Sequence, residues 1–150
     1  MIMKYGELII EKKEYEFLKQ IMSLAKPNKD NSYKASFFKL NEELKNARIV
    51  SNNKMPTDVI RLNSFVTIET PYAAEKTYQI VSPEKGDIRK DRISVLAPMG
   101  LALFGYAKGD NITWTFPVGE SHINIKEVKQ VESELMRMNY DKQHQGTPQR

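Results

Sequence analysis

The apolar residues of this chain change their period near residue 56, and no single type of secondary structure accommodates both halves. In Leu8–Ala25 the positions Ile10, Phe17, Leu18, Ile21, Met22 and Ala25 recur at helical spacing, with Lys and Glu between them. Lys26–Ser32 (KPNKDNS) interrupts the pattern, with Pro27 and two asparagines as turn formers. Beyond it Phe37, Leu40, Leu44 and Ala47 step by three, four and three, an a/d-type seam suited to one partner helix. Two such stripes joined by a short polar turn predict an antiparallel helical hairpin of coiled-coil type, with Asn31 or Ser32 as the second N-cap. Each helix is expected to run about 18 residues, or roughly 27 Å at 1.5 Å per residue.

After Pro56 the chain turns to β-branched and aromatic residues. Val59–Thr70 (VIRLNSFVTIET), Thr77–Ser82, Arg92–Leu96, Ile112–Phe116 and Ser121–Val128 read as five strands. Between the third and fourth, PMGLALFG places proline at the start and glycine just past the end of a short helix. KGDN and PVGE are turns, and Val131 with Leu135 leaves room for a short helix in Val128–Met138. The expected class is therefore α+β: a helical hairpin over residues 1–50, then a small antiparallel sheet with one short helix over 51–138. The polar stretch 139–150 is expected to be disordered, and SNNKMP is the expected linker between the two parts.

Composition narrows the chemistry. There are no cysteines, which excludes disulfides, thiolate nucleophiles and Cys-based zinc sites together. No apolar run approaches the roughly 20 residues of a membrane span, and the N-terminal charge run is unlike a secretory signal, so a cytoplasmic address is expected. The net charge of +4 sits in residues 1–55, with eleven Lys/Arg against seven Asp/Glu; residues 56–150 carry twelve of each. Those lysines alternate with glutamates, as in KKEYEFLK, so direct nucleic-acid binding is not expected to be the main contact. The two histidines, His122 and His144, lack metal-ligand spacing, and Trp114 sits between Ile112 and Phe116 on one strand face, as a core residue would. No catalytic residue, metal or cofactor is expected.

One block has a distinctive order. DRISVLAPMGLALFGYAKGD (Asp91–Asp110) resembles the C-terminal domain of the GreA/GreB transcript-cleavage factors: a strand into Ser-Pro or Ala-Pro, a short apolar helix ending in glycine, then Gly-Asp. Upstream, LNEELKNARIV (Leu40–Val50) and MPTDVIRLNSFV (Met55–Val66) look more like the short Rnk-type members of that family. The resemblance covers about residues 37–130. It implies an FKBP-like C-terminal domain and a short N-terminal coiled coil. It also implies a partner, bacterial RNA polymerase, gripped at the secondary-channel rim on a coiled coil of the β′ subunit.

The rim contact carried over from the family falls on Leu96, Ala97, Pro98, Met99 and Gly100, with Leu96 standing where Gre factors have Asp or Asn. At the hairpin tip those factors use two acidic residues to help hold a catalytic magnesium. Here Asp30 stands alone between Lys26 and Lys29, and hard-cation recruitment needs more than one carboxylate. The resemblance thus implies a non-enzymatic regulator that docks without stimulating transcript cleavage and competes with GreA or GreB. Two other readings stay open: an FKBP-like prolyl isomerase, which fold alone would suggest, and an interaction module for another protein partner.

Overall fold

The computed structural model describes residues 3–25, 31–116 and 118–131, the side chains at positions 31, 32 and 116 excepted. Helix α1 (Lys12–Leu24) and helix α2 (Asn31–Lys45) occur where the periodicity predicts helices, although it is the short helix Pro98–Leu103, not α1, on which α2 makes its main helix contact. Leu18 and Met22 on α1, and Leu40 and Leu44 on α2, are buried, as their spacing requires. The helices hold 13 and 15 residues, so each spans about 20–23 Å and is shorter than the periodicity predicts. Ile10 belongs not to α1 but to a short strand, β1 (Ile9–Glu11), which pairs in parallel with β2 (Arg48–Val50) as the chain leaves α2. An Ile-Ile pair fits either period, and tertiary pairing decides between them. Glu11 then opens α1, its side chain accepting the Glu14 N–H at 3.0 Å. Asn31 and Ser32 lie within α2 rather than ahead of it.

The remaining strands are β3 (Phe65–Thr70), β4 (Ala73–Val81), β5 (Arg92–Ser94), β6 (Asn111–Phe116) and β7 (Gly119–Lys129). They form one sheet in the order β5-β4-β3-β7-β6. The expected all-antiparallel sheet is in fact mixed, because β5 returns parallel to β4 with Arg92 opposite Gln79 and Ser94 opposite Val81. The long Val59–Thr70 strand is also shorter than expected. Asn63 takes a left-handed conformation (φ 73°) and breaks it. There the Ser64 hydroxyl accepts the Arg61 N–H at 2.8 Å and donates to Gln130 Oε1 at 2.7 Å. Val59 makes an isolated bridge to Ala107, and its carbonyl accepts the Gln130 side-chain N–H at 2.8 Å.

β7 buries Ile123, Ile125 and Val128, a spacing of two and then three that a regular strand cannot place on one face. The pairing shifts register between Thr67 and Ile68, opposite Glu127 and Ile125, and this bulge turns Val128 inward. Val128 therefore ends a strand rather than starting a helix, and residues 132–138, like the tail 139–150, lie outside the described residues.

Helix α3 (Pro98–Leu103) runs as expected from Pro98 at its first turn to Gly105 beyond its end. Gly105 has φ 87°, and a Cβ there would come within 2.3 Å of Leu8 Cδ1. Both the backbone and the packing of the N-terminal segment demand glycine. Leu18, Met22, Leu40 and Leu44 join Leu101, Leu103, Ile80, Ile112 and Ile123 in one contiguous core, with Trp114 half-buried against it. Among the described residues no helix is long and apolar enough to cross a membrane.

Candidate functional site

The run Leu96–Gly100 bridges β5 and α3. Val95 N–H bonds Val81 O at 2.8 Å, which fixes the end of β5 on the sheet. Ser94 then turns the chain: its hydroxyl accepts the Leu96 N–H at 3.0 Å and its carbonyl accepts the Ala97 N–H at 2.9 Å. Ala97 is the N-cap of α3, and Pro98 supplies a first-turn residue with no N–H to satisfy. Leu96, Ala97, Pro98 and Met99 are each half-buried, their inner parts against the core and the remainder at the surface.

Gly100 departs from the expectation that it forms part of the contact. It is buried, and a Cβ on it would lie 2.0 Å from the Ser94 carbonyl oxygen. Its lack of a side chain lets α3 approach β5. Asp110, of the Gly-Asp pair that closes the block, is likewise structural: its carboxylate accepts the Ala107 N–H at 2.9 Å and the Lys4 N–H at 3.2 Å.

The helical pair is tied to this region by a polar cluster that sequence reading did not anticipate. α2 packs on α3, and the Lys39 ammonium reaches the Ala102 carbonyl at 3.3 Å, the Tyr106 ring at 4.3 Å and Glu43 Oε2 at 3.6 Å. Tyr106 donates its hydroxyl to the same Glu43 oxygen at 2.8 Å. Burial, reinforced by the Glu43 carboxylate, pushes the Tyr106 hydroxyl far above its ordinary range. Burial pulls Lys39 below its own, against the attraction of Glu43. Glu43 Oε1 is buried without a hydrogen-bond partner among the described residues. Only the i,i+4 spacing of Lys39 and Glu43 was visible in the sequence, and that spacing ordinarily marks a solvated helix face.

A second tie comes from the N-terminal segment. Asp58 accepts from Lys4 Nζ at 2.5 Å and from the Tyr5 hydroxyl at 2.8 Å. Burial alone would raise the Asp58 carboxyl, but these two donors hold it below the ordinary carboxylate range. On the far side, Arg61 pairs with Glu14 in the first turn of α1 at 3.0 Å. A cleft of about 360 Å³ lies between the N-terminal segment and α2, lined by Met3, Gly6, Glu7, Leu8, Glu42, Glu43 and Asn46.

The hairpin-tip residues Lys26, Lys29 and Asp30 lie outside the described residues, as does His144, whereas His122 is exposed on β7. Among the described residues no group of three or more His, Asp or Glu stands where it could hold a metal ion.

Two helices, the second packed on a short Ala-Pro-initiated helix, and a mixed five-stranded sheet place the chain in the α+β class. The family described as "Transcription elongation factor, GreA/GreB, C-term" matches residues 55–130, and the chain belongs to the GreA/GreB family. It is similar to the regulator of nucleoside diphosphate kinase of Escherichia coli strain K12. The two are 36% identical over 92 residues, 60% of this chain and 68% of that protein. Transcription elongation factor GreA of Clostridium botulinum strain Langeland is 32% identical over 127 residues, 84% of this chain and 74% of the relative. A solved structure of a GreA/GreB elongation factor from Nitrosomonas europaea superposes with a TM-score of 0.68 at 30% identity, covering 82% of this chain and 98% of that one.

Proposed function

We propose that this protein is a non-catalytic transcription regulator of Rnk type that binds bacterial RNA polymerase at the secondary-channel rim, on the β′ subunit. The sheet with α3, in the FKBP-like arrangement, holds the rim through Leu96, Ala97, Pro98 and Met99, and the helical pair points into the channel. The observation that carries the reading is the family match over 55–130, together with the half-buried Ala97-Pro98-Met99 run at the β5–α3 junction. A partly exposed apolar run on a rigid turn is the kind of feature that anchors a protein contact. On this reading the protein works in the cytoplasm and competes with GreA and GreB for polymerase.

Absence of cleavage activity rests on the tip, where the sequence offers Asp30 alone between Lys26 and Lys29. The nearest acidic residues on α2 are already engaged: Glu42 pairs with Lys45 at 2.9 Å, and Glu43 holds Tyr106. The short helices agree, since about 20–23 Å is a modest reach into a channel. The test is a backtracked elongation complex carrying labelled RNA, with this protein added alone and then with a Gre factor. No shortening alone, and dose-dependent inhibition of the Gre factor, are expected. RNA shortening by this protein alone refutes the obstruction mechanism. Met99→Asp should abolish the inhibition in a variant that melts normally.

The 36% identical relative is named for regulating nucleoside diphosphate kinase, which favours a second reading as an interaction module for that enzyme. Pull-down from a bacterial lysate separates the two, since β and β′ subunits in the eluate support the first and the kinase alone supports the second.

A further inference from the structure

The loop Asp87–Arg92, immediately before β5, holds an isoleucine in water on an unusually well-tied scaffold. Ile88 is 71% exposed. Asp87 and Arg92 exchange both backbone hydrogen bonds, at 2.9 and 3.0 Å. Inside that bridge Lys90 N–H bonds Asp87 O at 3.0 Å, Asp91 N–H bonds Ile88 O at 3.1 Å, and the Asp87 carboxylate accepts the Arg89 N–H at 3.1 Å. Asp91 closes the turn in the left-handed conformation (φ 57°), and its carbonyl accepts the Gln79 N–H at 2.9 Å. A single exposed aliphatic residue is ordinary. One whose backbone is fixed on every side has already lost the freedom that a loop gives up on binding.

The charges around it are sorted. The Asp87 carboxylate is occupied by the loop's own backbone, and Asp91 pairs with Lys76 at 3.3 Å. The cations face outward: Arg89 has its side chain 90% exposed and only a distant contact to Asp87 at 3.8 Å, while Lys90 and Arg92 are exposed with no carboxylate partner among the described residues. The loop therefore offers an apolar tip ringed by three exposed cations, of which Arg89 is loosely paired with Asp87.

Its position joins it to the contact already described. Gly86, which leads into the loop, lies against Ser94, where a Cβ would meet Ser94 Cβ at 3.4 Å. Ser94 is the residue that turns β5 into Leu96–Met99. The loop and that run sit at opposite ends of a three-residue strand, on the order of 10 Å apart at 3.3 Å per residue. A standard interface of about 800 Å² per partner is roughly 28 Å across, so one footprint spans both.

We infer that Asp87–Arg92 is a second part of the polymerase-docking face, with Ile88 seated in an apolar hollow of an acidic protein surface whose carboxylates pair with Arg89, Lys90 and Arg92. This rests on the polymerase reading above. A protein surface fits better than nucleic acid, because an isoleucine offers no face for a base to stack on and two aspartates share the loop with the cations. Ile88 supplies the anchor and holds the complex together. The cations supply steering, so they act on the association rate and its salt dependence.

The experiment measures binding of the labelled full-length chain to bacterial core polymerase at low and moderate salt. The wild type is compared with Ile88→Ser, with Arg89→Ser/Lys90→Ser/Arg92→Ser combined, and with Met99→Asp. All these side chains except Met99 are exposed, so unchanged melting is expected for the first two variants. Ile88→Ser should weaken binding about tenfold through faster dissociation, and the triple variant should slow association and flatten the salt dependence. Binding that Met99→Asp weakens but both loop variants leave unchanged overturns this inference and spares the polymerase reading. A wild type that does not bind overturns both. If the triple variant instead loses affinity for a free DNA or RNA duplex while binding core polymerase normally, the cations serve phosphates and the inference fails.

Discussion

Replacing Gly100 by alanine separates two opposed effects whose sum has a definite sign. Considered as a helix residue alone, Gly→Ala in α3 should stabilise the fold by up to about 1 kcal/mol. The added methyl, however, would sit 2.0 Å from Ser94 O and 2.9 Å from Ser94 C and Val95 Cα, all backbone atoms that no side-chain rotation can clear. Relief requires α3 to withdraw by about 1 Å, which weakens its van der Waals attraction to β5 by roughly a quarter to a half. The helix carries Leu101 and Leu103, both fully buried, so the withdrawal is transmitted into the core. Overpacking of this kind costs about 1–3 kcal/mol, occasionally more. Once the weaker packing is added and the propensity gain subtracted, Gly100→Ala should destabilise by about 2–3 kcal/mol. For a chain of this length that lowers Tm by roughly 5–10 °C. Urea titration followed by circular dichroism should show a lower midpoint at unchanged slope. A midpoint equal to or above wild type would refute the close-approach argument, because only the propensity effect would then remain.

The other expectations follow from the ties around α3. Tyr106→Phe removes the hydroxyl that donates to Glu43 Oε2 and should cost about 1.5–2 kcal/mol in the same titration; an unchanged midpoint would show that Glu43 finds another donor. Because Lys4 and Tyr5 depress the Asp58 carboxyl, its contribution is present above the unfolded-chain value of 3.8 and is lost as pH falls through the lower folded value. Wild type should accordingly exceed Asp58→Asn in stability at pH 7, and the two should converge in acid; a gap that widens on acidification reverses the assigned shift. We also propose that the boundary near residue 50 marks a folding unit. A fragment beginning at Ser51 should melt cooperatively but well below the full chain, having lost Leu8 and the α2 cover over α3, whereas the fragment 1–50 should be marginal. Cooperative melting of 1–50 without that of its partner would overturn this division.

The elements that were legible in the sequence are those in which one local rule dominates. The spacing of Phe37, Leu40 and Leu44 states α2, although the fourth seam residue, Ala47, lies beyond its end, and the Pro98 to Gly105 bracket states both ends of α3. Membership in the GreA/GreB family was readable because the motif block depends on the order of residues along the chain, which needs no coordinates. The burial of the proposed docking run was only partly readable. Proline and alanine at the β5–α3 turn could be picked out, but not that Gly100 faces inward, since burial is a property of what packs above a residue.

Some features had no local signal at all. Ile9 and Ile10 fit a helix as well as a strand, and only the return of Arg48–Val50 beside them makes them β1. Lys39 and Glu43 read as a solvated helix pair until α3 and Tyr106 close over them. The parallel pairing of β5 and the bulge that turns Val128 inward depend on hydrogen bonds between residues distant along the chain or on the other strand's register. Periodicity records how a segment divides itself between water and core. It contains nothing about which other segment supplies the core, and that choice is made by the collective packing of the whole chain.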